Sequence, residues 1–376
     1  MELEPALSSK KTDLAFFGFR GGKGGISNVM LNLMNSSALF LKNIDVLVNN
    51  PNIPELDLLN PKINIINLNE SPGLISLPSL LDYINKKRPR VILTNRERAN
   101  RVLALGTPFI NYPIKIVFRV GMPISTALER RNLVKRVLRK YSIKYAYKRA
   151  DLVIANSNKV AEDILDITGI STDRIKVLNN PTVSDKLYEL SNAPTPHKWL
   201  DEDIPVIMGI GRLARQKGFE TLIKAFYKVI QRTEARLIIL GEGKERDSLL
   251  NLIRHLGITD KVALPGFTSN PFAFLSRASC FVLSSAWEGS PNVLIEALAL
   301  GIPVVATDCP TGPREILKNG RYGELVEVHN HNQMAEAILK VLSSPPSPSF
   351  LKDAAEPYRA IPATITYLKV MGLLSD

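Results

Sequence analysis

The sequence predicts an α/β protein built from two parallel-sheet domains. Its 376 residues are enough for two or three domains. Short apolar runs alternate with segments of helical spacing, which is typical of a parallel sheet covered by helices on both faces. The alternation stops at a stretch rich in proline and charge over residues 191–205 and then starts again. We therefore predict domains over 1–190 and 206–350, a linker between them, and a helical segment over 351–376.

Five apolar runs in the N-terminal half indicate buried strands, because each is short and bounded by charged or glycine residues. They are DLAFFGF near Phe16, DVLVNN near Val46, RVILTN near Ile92, KIVFRV near Val117 and DLVIANS near Val153. Segments of helical spacing separate these runs. The first of them, ISNVMLNLMNSSALFL, follows the glycine-rich loop Gly21–Gly25.

The C-terminal half repeats this plan. The runs that indicate strands are PVIMGIGRL, ARLIILGEG, KVALPGF, CFVLSSA and IPVVATD. The segments that indicate helices are GFETLIKAFYKVI, RDSLLNLIRHLGI and NVLIEALALG. A second proline-rich stretch, SSPPSPS, precedes a terminal helix, AIPATITYLKVMGLL. The two halves therefore resemble each other only as parallel α/β domains.

Composition excludes several classes of protein. Hydrophobic residues make up 45% and charged residues 22% of the chain, which is ordinary for a globular protein and unlike a disordered or collagen-like one. There is no run of 18 apolar residues, so we expect no membrane-spanning helix. The first residues contain no apolar stretch, so we expect no signal peptide and a cytoplasmic protein. Two cysteines, Cys280 and Cys309, are too few for a four-cysteine zinc site and are expected to be reduced core thiols.

The positive charge is concentrated in one region. The net charge is +12, but residues 86–150 carry 18 lysine and arginine residues against two acidic ones, a net charge of +16. Such a region attracts a polyanion. It contains a segment of helical spacing whose apolar positions share one face (Leu133, Val134, Val137, Leu138 and Tyr141), whereas Arg131, Lys135 and Arg139 share the other. This segment is either a core-packed helix with a solvated charged face or a surface helix on anionic lipid. No nucleic-acid-binding motif accompanies the charge.

Two glutamates mark a candidate binding site in the C-terminal half. Glu288 and Glu296 are eight residues apart in WEGSPNVLIEALALGIPVVATDCPTGPREIL, and Gly289, Ser290 and Pro291 precede the predicted helix that carries Glu296. The N–H groups at a helix start favour an anion such as a diphosphate. A carboxylate two turns into that helix suits a sugar diol. The spacing alone also fits a plain strand-loop-helix with two surface glutamates.

Two cations form a second candidate site. Arg212 and Lys217, in GIGRLARQKGF, follow a predicted strand and precede a predicted helix. An arginine fork and a lysine point charge beside a helix start can clamp a diphosphate. The alternative is a solvated loop.

The remaining short motifs do not indicate a nucleotide-binding P-loop or a metal site. The loop RGGKGGISN is similar to a deviant P-loop, but Lys23 and Ser27 have the wrong spacing for one. The acidic sequence DED at Asp201–Asp203 lies in the predicted linker rather than after a buried strand, and the four histidines form no helix-spaced pair of ligands. We therefore expect no metal site.

The segment Trp287–Leu317 resembles the E-x7-E signature of the retaining glycosyltransferases of family 4, also called group 1 glycosyltransferases, and the later GRYGELV also matches that family. GIGRLARQKGF resembles its G-R-x4-K donor-phosphate motif, and LGEG and LPGF fall where it has glycine loops. The resemblance implies the GT-B fold. That fold has two facing Rossmann-like parallel-sheet domains and a C-terminal helix that crosses back to the N-terminal domain.

The resemblance also implies an activity: retaining transfer of a hexose or N-acetylhexosamine from a nucleotide-sugar, with UDP as the nucleotide, without metal or other cofactor. The acceptor would be a glycan or a lipid-linked sugar in cell-surface polysaccharide or glycolipid synthesis, and the basic region 86–150 would hold the protein at an anionic membrane surface. Nucleic acid is not an expected partner. The implied catalytic residues are Glu288, Arg212 and Lys217. The implied donor-binding residues are Gly289, Ser290, Pro291, Asn292, Val293, Glu296, Gly266 and Phe267. The implied acceptor-side residues are Gly22, Gly24, Gly25 and Arg119.

One position departs from the family. Many members have a histidine in the N-terminal domain that contacts the donor sugar, whereas every histidine here lies at or beyond His197. Arg119 occupies about that place and either binds an anionic group or acts as a structural ion-pair partner. Two other functions stay open from the sequence, an epimerase of the same fold acting on a UDP-sugar and a catalytically idle membrane or assembly protein. The E-x7-E set argues against the epimerase, and the intact set of Arg212, Lys217, Glu288 and Glu296 argues against the idle protein.

Overall fold

A computed structural model describes residues 11–22, 24–68, 73–129, 132–195 and 197–375. The chain divides into two compact units. Unit 1 comprises Met1–Asn179 and Ala360–Asp376, and unit 2 comprises Asn180–Arg359. Each unit is built on its own sheet.

The described residues of unit 1 form a seven-stranded parallel sheet in the order β3-β2-β1-β4-β5-β6-β7. Its strands are β1 (Leu14–Phe17), β2 (Ile44–Val48), β3 (Ile63–Asn67), β4 (Val91–Thr94), β5 (Lys115–Val120), β6 (Leu152–Ala155) and β7 (Ile175–Val177). Its helices are α1 (Gly25–Ser37), α2 (Leu77–Lys87), α3 (Glu97–Gly106), α4 (Ile124–Glu129), α5 (Leu133–Tyr147) and α6 (Asn158–Thr168). Apolar clusters cover both faces of the sheet, as the continuous apolar strands require.

The C-terminal segment of the chain belongs to the core of unit 1. Its helix, Ala360–Val370, contacts α1, and Tyr367 and Leu368 are fully buried in the same apolar cluster as Leu14 and Met30. The terminal helix is therefore part of this unit's hydrophobic core.

The described residues of unit 2 form a six-stranded parallel sheet in the order β10-β9-β8-β11-β12-β13. The first helix is α7 (Asp185–Ser191). The strands are β8 (Val206–Ile210), β9 (Arg236–Leu240), β10 (Val262–Gly266), β11 (Cys280–Leu283), β12 (Val304–Thr307) and β13 (Glu324–Val326). The further helices are α8 (Phe219–Val229), α9 (Arg246–His255), α10 (Phe272–Leu275), α11 (Asn292–Ala299), α12 (Pro313–Ile316), α13 (His331–Ser343) and α14 (Pro348–Ala355); the terminal helix Ala360–Val370 of unit 1 is α15. The two doubly wound parallel sheets confirm the predicted fold class.

Three strands were not predicted, and all three lie at the edge of a sheet. β3 and β7 are the two edges of the first sheet, and β13 is one edge of the second. Each is partly exposed, whereas β1, β4 and β11 are buried at every residue. The apolar-run criterion finds strands that are buried on both faces most readily; of the four edge strands it predicted only β10, whose sequence VALPG keeps an apolar run.

The division between the units also differs from the predicted one. It falls after Asn179, and residues 191–205, predicted as a linker, lie inside unit 2. The Arg277 guanidinium donates to the carbonyl oxygens of Ser191 and Ala193, and Trp199 packs against the core of this unit. The proline-rich segment is therefore anchored to unit 2 at these three residues.

In each sheet there is one point at which the connections that follow two neighbouring strands run in opposite directions. That point lies between β1 and β4 in unit 1 and between β8 and β11 in unit 2. The carboxyl ends of such strands bound a crevice in which doubly wound proteins bind ligands. Both sheets therefore place the loops after these four strands where a ligand site is expected.

No helix in the described part of the chain combines the length and apolar character that crossing a bilayer requires. Cys280 and Cys309 are both buried free thiols, as predicted. Burial raises the pKa of each thiol to about 12, so both are protonated and unreactive at neutral pH.

Candidate active site

The loops after β8 and β11 bring a lysine and a glutamate into contact at the switch point of unit 2. The Lys217 Nζ lies 2.5 Å from Glu288 Oε1, and the Ser285 hydroxyl donates to the same oxygen at 2.6 Å. No described residue donates to the other carboxylate oxygen of Glu288. One oxygen of Glu288 is thus held by the protein, and the other remains available to accept a hydrogen bond.

The pair is shielded from water. The Glu288 side chain is 8% exposed and that of Lys217 is 19% exposed. A charge pair in such a place interacts more strongly than one in water, and removing one partner leaves a buried charge. By contrast, Arg212 is exposed and forms no ion pair with any described residue. Its guanidinium is available to an anionic ligand.

Hydrogen bonds from side chains to the main chain hold the two loops together. Ser284 Oγ donates to the Lys217 carbonyl at 2.7 Å, and the Gln216 side-chain amide donates to the Trp287 carbonyl at 2.9 Å. Gly218 makes this approach possible: its φ is +61°, and a Cβ there would lie 2.1 Å from the Ser284 carbonyl oxygen. The loop geometry therefore fixes the position of Lys217.

The second glutamate lies on α11 and is also buried. Glu296 is 9% exposed, and no described residue donates a hydrogen bond to its carboxylate. Burial raises the pKa of the Glu296 carboxyl to about 7. Both predicted site glutamates are thus buried, which contradicts the alternative of two surface glutamates. A buried carboxylate without a donor is suited to accept hydrogen bonds from ligand hydroxyls.

The start of α11 is open to a ligand. Pro291 occupies the N-cap position, and no side chain caps the helix. Asn292 is held from the side, because its Oδ1 accepts from Asn180 Nδ2 at 2.9 Å and from Thr182 Oγ1 at 3.2 Å. Gly289 and Ser290 form the predicted donor-binding turn between Glu288 and Pro291, and Val293 lies in the first turn of α11. The Thr311 hydroxyl, from the PTGPRE loop, donates to the Glu288 carbonyl.

The other predicted donor-side residues lie at the end of β10. Gly266 is the last residue of that strand, and its carbonyl accepts from the Gly241 amide at 2.8 Å. Phe267 follows it with 44% of its surface exposed. An exposed aromatic ring at the carboxyl edge of a parallel sheet can stack on a base.

The predicted acceptor-side residues all lie in unit 1. The Gly22 amide donates to Glu55 Oε1 at 2.8 Å, Gly24 is the N-cap of α1, and Gly25 begins that helix. Lys23 lies outside the described residues. Arg119 is on β5, is 3% exposed, and its Nε donates to the Tyr367 hydroxyl at 3.3 Å.

Sequence reasoning missed two side chains that organise the glutamates. Ser285 holds a carboxylate oxygen of Glu288, and Thr311 holds its main chain. A weak signal for the first exists in the sequence: two serines follow the buried run CFVL, at the carboxyl edge where polar side chains meet ligands. Thr311 has no such signal, because its contact depends on the placement of the loop after β12.

Helix α5 presents an apolar face to solvent. Leu133, Val134, Leu138 and Tyr141 are 66–75% exposed and Val137 is 45% exposed, whereas Ile143, Ala146 and Tyr147 are buried. Helical spacing puts these two sets on opposite sides. The predicted apolar face is therefore not the packed one, which contradicts the alternative of a core-packed stripe.

The basic residues of α5 are not equivalent. Lys135, Arg136, Lys140 and Lys144 are exposed. Arg139, predicted to lie on the charged outer face, instead packs inward and forms an ion pair with Glu97 on α3. Its position beside the buried residues of α5 accounts for the difference. Arg131 lies outside the described residues.

Two family models match the chain. The model described as glycosyl transferases group 1 matches residues 196–357, and the model described as glycosyltransferase family 4 matches residues 24–186. Together they cover both units. The matched regions contain the two predicted motifs of unit 2.

Curated relatives and solved structures are similar to this chain. An uncharacterized glycosyltransferase of Methanocaldococcus jannaschii is 37% identical over 63% of this chain and 60% of that protein. The N-acetylgalactosamine-N,N'-diacetylbacillosaminyl-diphospho-undecaprenol 4-alpha-N-acetylgalactosaminyltransferase of Campylobacter jejuni is 31% identical over 88% of this chain and 90% of that protein. The HepE protein of Anabaena, solved in complex with UDP, superposes with a TM-score of 0.80 at 18% identity, covering 96% of this chain and 100% of that one.

Proposed function

Because the chain belongs to the group 1 glycosyltransferases of family 4, we propose that it transfers a hexosyl or N-acetylhexosaminyl group, with retention, from a UDP-sugar to a glycan or lipid-linked acceptor. The observation that carries this proposal is the contact between Lys217 and Glu288 beside the open start of α11. It places positive charge and a hydroxyl acceptor in one partly buried site, as a sugar diphosphate requires.

In the proposed reaction, Lys217 and Arg212 bind the diphosphate of the donor. Negative charge grows on the leaving diphosphate as the bond to the sugar breaks, and preformed cations stabilise it most at that stage. The amides at the start of α11 add to this field. Lys217 would share its proton donors between Glu288 and the diphosphate, which is feasible because an ammonium has three of them.

The two glutamates have different proposed roles. The free oxygen of Glu288 accepts a hydroxyl of the donor sugar, while its other oxygen stays bound to Lys217 and Ser285. Glu296 accepts the ribose hydroxyls, since its buried carboxylate has no donor among the described residues. For retention, we propose that the acceptor hydroxyl attacks from the side of the leaving group and gives its proton to a phosphate oxygen of UDP.

The relatives support the choice of substrates. The Campylobacter protein is named for an alpha-linked transfer to a sugar on diphospho-undecaprenol, which supports a lipid-linked acceptor and an alpha product. The Anabaena structure contains UDP, which supports UDP as the nucleotide. The exposed ring of Phe267 is our candidate to stack on the uracil base.

Thermal unfolding in the presence of nucleotides and nucleotide-sugars tests the donor. A ligand that binds only the folded protein raises the free energy of unfolding, by about 2.7 kcal/mol when its concentration is a hundred times its Kd. The melting temperature rises as a result. We expect UDP and a subset of UDP-sugars to raise it, and the corresponding adenosine, guanosine and cytidine compounds to have little effect. A shift of equal size with all nucleotides, or with none, would contradict the proposed donor.

We propose that the chemical step needs no metal ion, because Lys217, Arg212 and the start of α11 already supply positive charge to the diphosphate. Turnover should therefore survive dialysis against EDTA, measured as UDP release from the preferred UDP-sugar. Activity that vanishes with EDTA and returns only with magnesium or manganese would overturn this part of the proposal.

We propose that α5 holds the protein on an anionic membrane surface. Its exposed apolar face would enter the boundary between headgroups and acyl chains, and Lys135, Arg136, Lys140 and Lys144 would contact lipid phosphates. Each such cation contributes about 1 kcal/mol near an anionic surface. A lipid-linked acceptor would be met at the same surface.

Leu138→Glu should weaken binding to anionic vesicles at least tenfold, since burying a leucine contributes about 1.5–3 kcal/mol and tenfold is about 1.4 kcal/mol. Phe109→Glu is the matched control, because Phe109 and Leu138 are each 66% exposed. Sedimentation with phosphatidylglycerol and phosphatidylcholine vesicles measures the effect. Wild-type binding should be confined to the anionic vesicles and be reversed by 1 M salt, where the Debye length is about 3 Å. Equal losses in both variants, or equal binding to both vesicle types, would contradict the proposal.

A further inference from the structure

A cavity in unit 1 lies at the switch point of its sheet. Its volume is about 370 Å³, and its lining includes Arg20, which follows β1, and Arg96 and Arg98, which follow β4. The ends of these two strands are direct neighbours, because Phe17 pairs with Thr94 in the sheet. The cavity therefore occupies the position where a doubly wound sheet binds its ligand, and it is large enough for a small one.

The charges of the three arginines are not balanced within the described part of the chain. None of Arg20, Arg96 and Arg98 forms an ion pair with a described residue. The carboxylate at this helix start, Glu97, is already paired with Arg101 and Arg139. Arg20 and Arg98 are exposed and Arg96 is half-buried, so the three guanidinium groups line the cavity where a dissolved anion can reach them.

Polar atoms around the cavity are also unsatisfied. Arg96 Nε and Asn49 Nδ2 are buried donors with no hydrogen-bond partner among the described residues, and Asn95 Oδ1 is a buried acceptor without one. Burial and the neighbouring Arg20 guanidinium lower the pKa of Arg96. The start of α3 adds main-chain N–H groups, since no side chain caps it. Buried polar groups without partners in a cavity are what a bound polar ligand would satisfy.

The Arg98 side chain packs over a glycine at the edge of the cavity. A Cβ on Gly73 would lie 2.4 Å from Nη2 of Arg98, so the guanidinium packs directly over the Gly73 backbone. The cavity thus has two exposed guanidinium groups, those of Arg20 and Arg98, and a half-buried one at the helix start, that of Arg96.

We infer that this cavity binds a phosphate or diphosphate group, and that the group belongs to the acceptor. Arginine guanidinium groups bind phosphate through paired N–H donors, and unpaired arginines at a helix start suit a dianion. The inference rests on the proposed transferase activity for the identity of the acceptor, and it extends it by requiring that the acceptor carry phosphate. A neutral glycan would leave the three arginines without a counter-charge.

The test is calorimetric titration of the full chain with inorganic pyrophosphate, with UDP already saturating so that the unit 2 site is filled. We expect one binding event in the wild type, weakened at least tenfold in Arg96→Gln and in Arg20→Gln. Lys86→Gln is the matched control, because Lys86 is a surface cation of the same unit with 74% of its side chain exposed; its affinity should be that of the wild type. Arg20 is exposed and outside any helix or strand, so its variant keeps the fold.

Equal affinity in all four proteins, or no pyrophosphate binding to the wild type, would overturn the inference. Titrations with inorganic phosphate and with farnesyl diphosphate identify the source of the group. Tighter binding of farnesyl diphosphate than of pyrophosphate would assign it to a lipid diphosphate, and equal binding would assign it to phosphate alone. Titration with UDP alone measures binding to the unit 2 site. If the wild type bound no UDP but still bound pyrophosphate in an arginine-dependent way, the proposed transferase activity would be contradicted and the anion site would not.

Discussion

Lys217→Ala is expected to lower kcat about a hundredfold or more, because removing one preorganised charge contact to a developing anion costs on the order of 3 kcal/mol. The structure adds a second reason for a large effect. Lys217 is the charged partner of the buried carboxylate of Glu288 at 2.5 Å, so its loss also leaves that carboxylate buried without its cation. Arg212→Ala should also lower kcat, but only because its contact with the diphosphate is lost. UDP release from the preferred donor measures both.

Arg215→Ala is the matched control for these variants. Arg215 lies in the same loop, but its side chain is 90% exposed and its distant contact to Glu245 is at the surface. Its turnover should stay within a factor of about two of the wild type, since surface ion pairs contribute little. Wild-type turnover in Lys217→Ala, or an equal loss in Arg215→Ala, would contradict the assignment of Lys217 to the diphosphate.

Glu296→Gln is expected to raise KM for the donor by about tenfold or more with kcat little changed. A ribose contact is made equally in the ground state and in the transition state, so its loss weakens binding rather than chemistry. Hydrogen bonds from hydroxyls to a carboxylate contribute about 1.5–3 kcal/mol, and an amide retains part of that. A normal KM with a collapsed kcat would show that Glu288 and Glu296 have exchanged roles.

The same variant makes a prediction about pH. Because burial raises the pKa of Glu296 to about 7, wild-type UDP affinity should rise between pH 6 and pH 8 as the carboxylate forms, whereas the affinity of Glu296→Gln should lack this step. Stability should change in the opposite direction. A carboxyl with a raised pKa in the folded state stabilises the fold below its unfolded pKa, near 4.5, and this stability is lost as pH rises through 7. The free energy of unfolding of Glu296→Gln should therefore exceed that of the wild type by about 3 kcal/mol at pH 8, and this difference should vanish near pH 4.5.

The sequence was sufficient to locate the strands that are buried on both faces, because a short apolar run such as that of β4 or β11 is typical of a strand covered by helices on each side. It was insufficient for β3, β7 and β13, whose exposed residues carry no such signal. The sequence also did not predict the boundary between the two units. The proline-rich segment 191–205 has the composition of a linker, and only the tertiary contacts of Arg277 and Trp199 show that it is anchored within unit 2.

The candidate site shows a similar limit. The motifs gave the residue types that a sugar diphosphate needs, but the contact between Lys217 and Glu288 joins residues 71 positions apart and depends on the strand order. Helical spacing identified the apolar face of α5 without showing whether that face is packed or exposed. Arg96 and Arg98 carry little signal in the sequence, because a single pair of arginines after a strand is common. Their significance appears only with the cavity and the absence of acidic partners among the described residues.

Calorimetric comparison of UDP with UMP tests the central claim, that unit 2 holds the diphosphate of a nucleotide-sugar, without requiring the acceptor. If Lys217, Arg212 and the start of α11 bind the diphosphate, UDP should bind about a hundredfold more tightly than UMP, because two charged hydrogen bonds contribute about 3 kcal/mol. This ratio should fall at least tenfold in Lys217→Ala and remain unchanged in Arg215→Ala. Equal affinities of the wild type for UDP and UMP, or no binding of either, would contradict this claim.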